Sequence, residues 1–166
     1  MASAGDMESK VLLSLASIPR RFETSLPEVL SALKRQRPRC KIIVNIPGEY
    51  RKWGPANIPD TLRNDKDITL WTPKKDYGPA NKLLGALEYA ESHPAIEHII
   101  TFDDDYYYDD REFVVYMLDY ARKLPNCALT IAGIKLEHYP FRKGNGLKYR
   151  NQNCLVHAPA GFRGVL

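Results

Sequence analysis

Residues 98–105 read His98-Ile99-Ile100-Thr101-Phe102-Asp103-Asp104-Asp105, an apolar run that stops on three adjacent carboxylates. A short, nearly continuous apolar run is the pattern of a strand covered on both faces, and such strands belong to parallel sheets flanked by helices. Three carboxylates at the mouth of that strand repel one another, and they stay ionised only if a cation or hydrogen-bond donors share the space. Carboxylate oxygens suit a hard divalent ion such as Mg²⁺ or Mn²⁺, which takes one or two protein carboxylates and completes its shell with phosphates and water. The bland reading is an acidic turn that caps the next helix. It suits Asp109 and Asp110 better than Asp103 to Asp105.

Upstream of this strand the same alternation repeats. Val11 to Ile18 is an apolar run stopped by Pro19, which reads as a first central strand. Ser25-Leu26-Pro27-Glu28 has capping-box spacing, and Leu26, Val29, Leu30 and Leu33 then recur at helical intervals. Lys41 to Ile46 is a second strand, ended by Pro47-Gly48. The proline-bearing connection from there to Pro59 is long enough to suggest a surface loop with a function. Ile68 to Trp71 is a third strand, and a helix from about Ala80 to Glu91 follows, with Pro79 in its first turn. Downstream of the aspartates, Asp110 is expected to cap a helix running to about Lys123. Cys127 to Ile134 is expected to add a fifth strand, and Gly144-Asn145-Gly146 marks a hairpin-like excursion before a last strand or two.

Strands alternating with helices predict a three-layer α/β/α domain with a mostly parallel central sheet of Rossmann-like type. Ligands in such sheets bind beyond the carboxyl ends of the strands. Pro19-Arg20-Arg21, Asp76-Tyr77-Gly78-Pro79 and Asp103 to Asp105 each follow a strand, so topology gathers them on one edge. Lys82 falls in the first turn of its helix, where free N–H groups and the dipole favour an anion; the alternative is an exposed helix lysine. Asp76 is either a ligand-binding carboxylate or a cap. Tyr106-Tyr107-Tyr108 offers either flat amphipathic surfaces beside the acids or a packed aromatic turn.

Length and composition bound the rest. A chain of 166 residues is read as one domain over 11–166, preceded by a flexible leader at 1–10 without the features of a secretory signal. No apolar run approaches the ~20 residues of a membrane-spanning helix, and a cytoplasmic protein is expected. Cys40, Cys127 and Cys154 form neither a disulfide framework nor a zinc spacing and read as reduced core thiols. A net charge of +4 suits an anionic small ligand and is too small to argue for nucleic acid. The basic run Lys34-Arg35-Gln36-Arg37-Pro38-Arg39 reads as a solvated helix end.

The ordered set Ser17-Ile18-Pro19-Arg20, Asp76-Tyr77-Gly78-Pro79-Ala80-Asn81-Lys82 and Asp103-Asp104-Asp105 resembles the nucleotide-sugar glycosyltransferases of GT-A fold that carry an Asp-X-Asp motif. Order and spacing are most like the small domains of that kind encoded by large algal viruses, whose setting would be the host cytoplasm, and by some bacterial polysaccharide loci. The resemblance implies a Mn²⁺- or Mg²⁺-dependent transfer from a nucleoside diphosphate sugar, uridine in preference to guanosine, to a glycan or other hydroxyl acceptor. It implies Asp105 as a direct metal ligand, Asp103 at the ribose or at the metal through water, and Asp104 in support of them or of the donor sugar. It also places Ser17, Pro19, Arg20, Asp76, Tyr77 and Lys82 around the nucleotide-sugar, with Arg21 facing solvent. Glu137 is a candidate for the carboxylate base, and His157 leans structural. Domains of that family usually continue beyond a segment like 161–166, so the resemblance implies part of a longer protein.

Two other classes compete. A haloacid-dehalogenase-like phosphohydrolase would use Asp103 as nucleophile and Asp105 as acid and base, but its motif breaks at Tyr107 and normally follows the first strand. A non-enzymatic cation- or RNA-binding module would use the same acids, or the basic loops, without chemistry.

Overall fold

The computed structural model describes residues 10–130 and the strand backbones at 132–136, 146–150 and 158–159. Strand β1 (Val11–Ala16) leads through a 3₁₀ turn at Pro19–Arg21 into helix α1 (Ser25–Lys34). Strand β2 (Lys41–Asn45) is followed by a small ribbon, β3 (Glu49–Tyr50) with β4 (Gly54–Pro55), and by the single turn α2 (Asp60–Arg63). Next come β5 (Thr69–Trp71), a 3₁₀ turn at Gly78–Ala80, helix α3 (Asn81–Glu91), β6 (His98–Phe102) and helix α4 (Phe113–Lys123). The last elements are β7 (Ala132–Leu136), β8 (Gly146–Arg150) and β9 (Ala158–Pro159).

The central sheet has four strands in the order β5-β2-β1-β6, all parallel. Strand β1 pairs in register with both neighbours, Leu13 standing beside Ile42 on one side and Ile100 on the other. The two-residue pleat then sorts the side chains into two cores. Val11, Leu13, Leu15, Ile42, Val44, Ile100 and Phe102 pack with Leu26, Val29 and Leu33 of α1 and with Val114, Met117 and Leu118 of α4. Leu12 and Ile43 face the other way, onto Ala86 and Tyr89 of α3. Helices therefore cover both faces, which is why these strands carry no exposed polar face. The strand order reverses between β1 and β6, the crevice at which open α/β sheets take their ligands. No helix among the described residues is long and apolar enough to cross a membrane.

Several local expectations change. The fifth strand does not extend the parallel sheet: β7 pairs antiparallel with both β8 and β9 in a sheet of its own, because an apolar run specifies a strand but not its partner. The hairpin expected around 144–146 corresponds to the β7–β8 pair. Ser25 does not cap α1 but lies inside it, with no hydrogen-bond partner for its buried Oγ among the described residues. Thr24 occupies the cap position instead, and its hydroxyl donates to the Arg20 carbonyl at 3.0 Å. Asp110 likewise stands two residues before the cap of α4, accepting the Glu112 N–H at 2.9 Å.

The free α4 donor at Val114 is met by Gln36, whose Oε1 accepts it at 3.3 Å while Nε2 donates to the Asp110 carbonyl. Gln36 is buried, so the basic run is not simply a solvated helix end. Lys10, read as part of the leader, takes the N–H groups of Glu97 and His98 on its carbonyl and pairs with Glu97; residues 1–9 lie outside the described residues. Cys127 is exposed and so is not a core thiol, Cys40 is half-buried and packs against the core, and Cys154 lies outside the described residues.

Candidate functional site

Three segments leave the carboxyl edge of the sheet and meet. They are 17–21 after β1, 76–82 after β5 and 103–108 after β6. The acidic triplet is divided by its surroundings. Asp104 is buried and accepts the Ser17 hydroxyl at 2.6 Å and Arg21 Nη1 at 2.6 Å. The other arm of that guanidinium, Nη2, donates to Asp105, which is exposed, at 2.5 Å. Asp103 accepts Lys82 Nζ at 2.5 Å, and its backbone N–H donates to the Tyr108 hydroxyl at 3.2 Å. The positive charge that the triplet requires is thus supplied in part by the protein itself. Among the described residues the three carboxylates are paired with two cations.

The basic pair of the first loop is reversed relative to expectation. Arg20 is exposed, and Arg21, expected to face solvent, reaches the acids. The cause is the turn begun by Pro19, in which the Arg21 N–H returns to the Ile18 carbonyl at 2.9 Å. A three-residue repeat brings residue 21 back beneath residue 18 and leaves residue 20 outside. Ser17, expected at the nucleotide, is turned inward and bound to Asp104.

Lys82 is placed by a buried polar relay. Asn45 Nδ2 donates to Ser14 Oγ and to the Leu15 carbonyl, both at 2.8 Å, and Ser14 Oγ donates to the Lys82 carbonyl at 2.6 Å. The first turn of α3 is thereby fastened to β1 and β2. Gly85 makes room for this relay, since a Cβ there would lie 2.2 Å from Asn45 Oδ1.

Asp76 is fully engaged as a turn residue. Its carboxylate accepts the Gly78 N–H at 2.7 Å, the Asn81 side-chain amide at 3.2 Å and the Arg51 N–H at 3.0 Å. Tyr77 beside it is exposed, with the Lys75 ammonium 5.5 Å from its ring centre.

Tyr50 is the residue that sequence reasoning missed. Its hydroxyl donates to the Ser17 carbonyl at 2.7 Å, while Arg51 next to it binds Asp76, so the β3–β4 ribbon ties the first two segments together. Burial raises the Tyr50 phenol far above its usual value, and the charges of Asp76 and Asp104 push the same way, so it remains a donor. Its position just past the carboxyl end of β2, in a loop flagged for its length, is the signal that would have found it. The tyrosine run divides as well. Tyr108 is buried against Phe102, ring centres 4.7 Å apart, and burial also raises its phenol. Tyr107 is exposed and accepts a hydrogen bond from Arg35 at 3.1 Å.

Among the described residues no three His, Cys, Asp or Glu side chains converge into a metal-binding group. A hard divalent ion needs only one or two protein carboxylates when phosphate and water supply the rest. Asp103 and Asp105 each give one oxygen to a cation and keep a second with no hydrogen bond among the described residues. That all-oxygen set suits Mg²⁺ or Mn²⁺. Asp104, with both oxygens bonded, does not belong to it. His93 stacks on Tyr89, ring centres 3.9 Å apart, and is structural; Glu137, His138 and His157 lie outside the described residues. No known family model matches the chain, and no curated protein matches it.

Proposed function

We propose that this chain is a metal-dependent glycosyltransferase that moves a sugar from a nucleoside diphosphate sugar, with uridine diphosphate as the carrier, to a hydroxyl acceptor in glycan synthesis. The observation that supports it most is the meeting of Asp103 and Asp105 with Lys82 and Arg21 at the edge where the strand order reverses. Asp103 and Asp105 would hold Mn²⁺ or Mg²⁺, which when bound supplies Lewis-acid stabilisation to the departing diphosphate. Lys82, at the N-terminal turn of α3, adds its ammonium to the partial positive charge of that helix end and is suited to the diphosphate. Arg21, oriented by Asp104, supplies a second cation. Ser17 and Asp104 act from behind, holding Arg21 in place rather than touching a ligand. The exposed ring of Tyr77 and the β3–β4 ribbon form the flank available to the nucleoside.

The test is calorimetric titration with UDP. Binding with Mn²⁺ present is expected to be at least ~10-fold tighter than without it, since the metal supplies charge that the diphosphate needs. Asp105→Ala should abolish that metal dependence while leaving the unfolding midpoint within a degree or so of wild type, because Asp105 is exposed and its loss relieves repulsion. Metal-dependent UDP binding that survives in Asp105→Ala would remove the basis of the assignment. An RNA-binding module would instead show a steep salt dependence and indifference to Mn²⁺.

A further inference from the structure

We propose that the groove between α1 and the loop after β6 seats the acceptor, and that the acceptor is an uncharged oligosaccharide whose rings beyond the reacting one lie in it. The proposal rests on the glycosyltransferase reading and adds to it the class and the path of the second substrate. The groove is open, about 640 Å³ in volume, and lined by Pro27, Glu28, Ser31, Arg35 and Tyr107. Volumes of that order are typical of small-ligand sites. One wall starts at Pro27, six positions after Arg21, and the other is Tyr107, two positions after Asp105. Both therefore leave from the loops that carry the acidic cluster. From Pro27 to Arg35 the groove follows α1 for about 12 Å toward the opposite edge of the sheet, at about 1.5 Å per residue. That is room for a chain of sugar rings rather than for one.

The lining has the chemistry of a polyol site. A sugar ring offers hydroxyls that both donate and accept, and C–H faces that pack on an aromatic ring. Tyr107 is 53% exposed and stacks on no other ring among the described residues, whereas Tyr106 and Tyr108 pack on each other with ring centres 5.0 Å apart. Its hydroxyl is held by Arg35 Nη2 at 3.1 Å, while Arg35 Nη1 donates to Ser31 Oγ at 2.7 Å. The guanidinium plane is thereby fixed, and its other N–H groups have no acceptor among the described residues. Glu28 is exposed, has no hydrogen bond or ion pair among the described residues, and supplies oxygens that only accept. Donors, acceptors and an aromatic platform thus line one groove. One carboxylate and one guanidinium leave it without net charge, which selects against a sulfated or phosphorylated chain.

The test is retention of wild type, Tyr107→Ala, Tyr107→Trp and Glu28→Ala on an array of immobilised neutral and sulfated oligosaccharides built from hexoses, pentoses, deoxyhexoses and N-acetylhexosamines. Each protein is also titrated with UDP and Mn²⁺. Wild type should be retained by a neutral member. Tyr107→Ala should weaken that affinity about 10-fold, because the platform for the C–H face is gone, and Glu28→Ala about threefold. Tyr107→Trp restores an aromatic platform and should stay within about threefold of wild type. Both positions are exposed, so unfolding midpoints and Mn²⁺-dependent UDP binding should not change, which separates a lost subsite from a lost fold. If wild type binds UDP with Mn²⁺ but no neutral oligosaccharide, or if Tyr107→Ala is retained as well as wild type, the groove inference fails and the glycosyltransferase reading stands. Preference for the sulfated members with a steep salt dependence would overturn the uncharged chain. If a neutral oligosaccharide binds but UDP binding does not depend on Mn²⁺, the glycosyltransferase reading fails, and the groove is no acceptor site.

Discussion

Two clusters of paired charge lie at opposite ends of α1, and they differ in balance. At its C-terminal end Lys34 pairs with Asp65 at 2.5 Å and, just beyond it, Arg39 with Asp67 at 2.7 Å, two cations against two carboxylates. Before its N-terminal end Arg21, joined by Lys82, faces three carboxylates. The first cluster ties the turn after α2 to the end of α1, and its charges are neutralised within the pairs. Among the described residues the second holds one carboxylate more than its cations, and it does so at the carboxyl edge of a parallel sheet. Residue types are alike in the two. Imbalance and position mark one of them as a candidate site, because a closed set of ion pairs leaves little for a ligand to satisfy.

The comparison breaks first at Asp104. Asp104→Ala is expected to lower stability by about 2–4 kcal/mol in a urea titration, since it strips the buried Ser17 hydroxyl of its acceptor and Arg21 of its main partner. A loss below about 1 kcal/mol would make Asp104 no different from a surface aspartate and erase the distinction between the clusters. Gly85→Ala tests whether the second cluster depends on buried support. The new methyl collides with Asn45, and a net loss of about 1–2 kcal/mol is expected even though alanine is the better helix former. Reduced UDP affinity should accompany it, and normal affinity would show that the relay does not position Lys82. The smallest effect belongs to the first cluster. A double-mutant cycle on Lys34 and Asp65 should yield a coupling of about 0.5–1 kcal/mol with no change in Mn²⁺-dependent UDP binding. Any loss of that binding would mean that the two clusters communicate through α1.

Much of the architecture was legible because it depends on periodicity. The runs at 11–16, 41–45 and 98–102 are short and mostly apolar, the pattern of a strand covered on both faces. The helices over 25–34 and 81–91 followed from their spacing and proline placement. The site was legible as an edge, since topology alone places 17–21, 76–82 and 103–105 at strand carboxyl ends. Its wiring was not. The reversal of Arg20 and Arg21 depends on a 3₁₀ turn whose phase no motif announces. The withdrawal of Asp104 into the interior depends on Ser17 and Arg21, which are more than 80 positions away in the chain. The partner of the fifth strand was also hidden, because pairing is a long-range choice made by β8 and β9.

What the sequence determined by itself is the class of fold and the placing of an acidic triplet at the mouth of a buried strand, both consequences of short-range pattern. Which carboxylate is buried, which arginine answers it, and that the protein brings two cations of its own to the triplet were decided only by tertiary structure. The physical reason is that an ion pair is fixed by distance in space and by solvent access, and neither quantity is encoded in the spacing of residues along the chain.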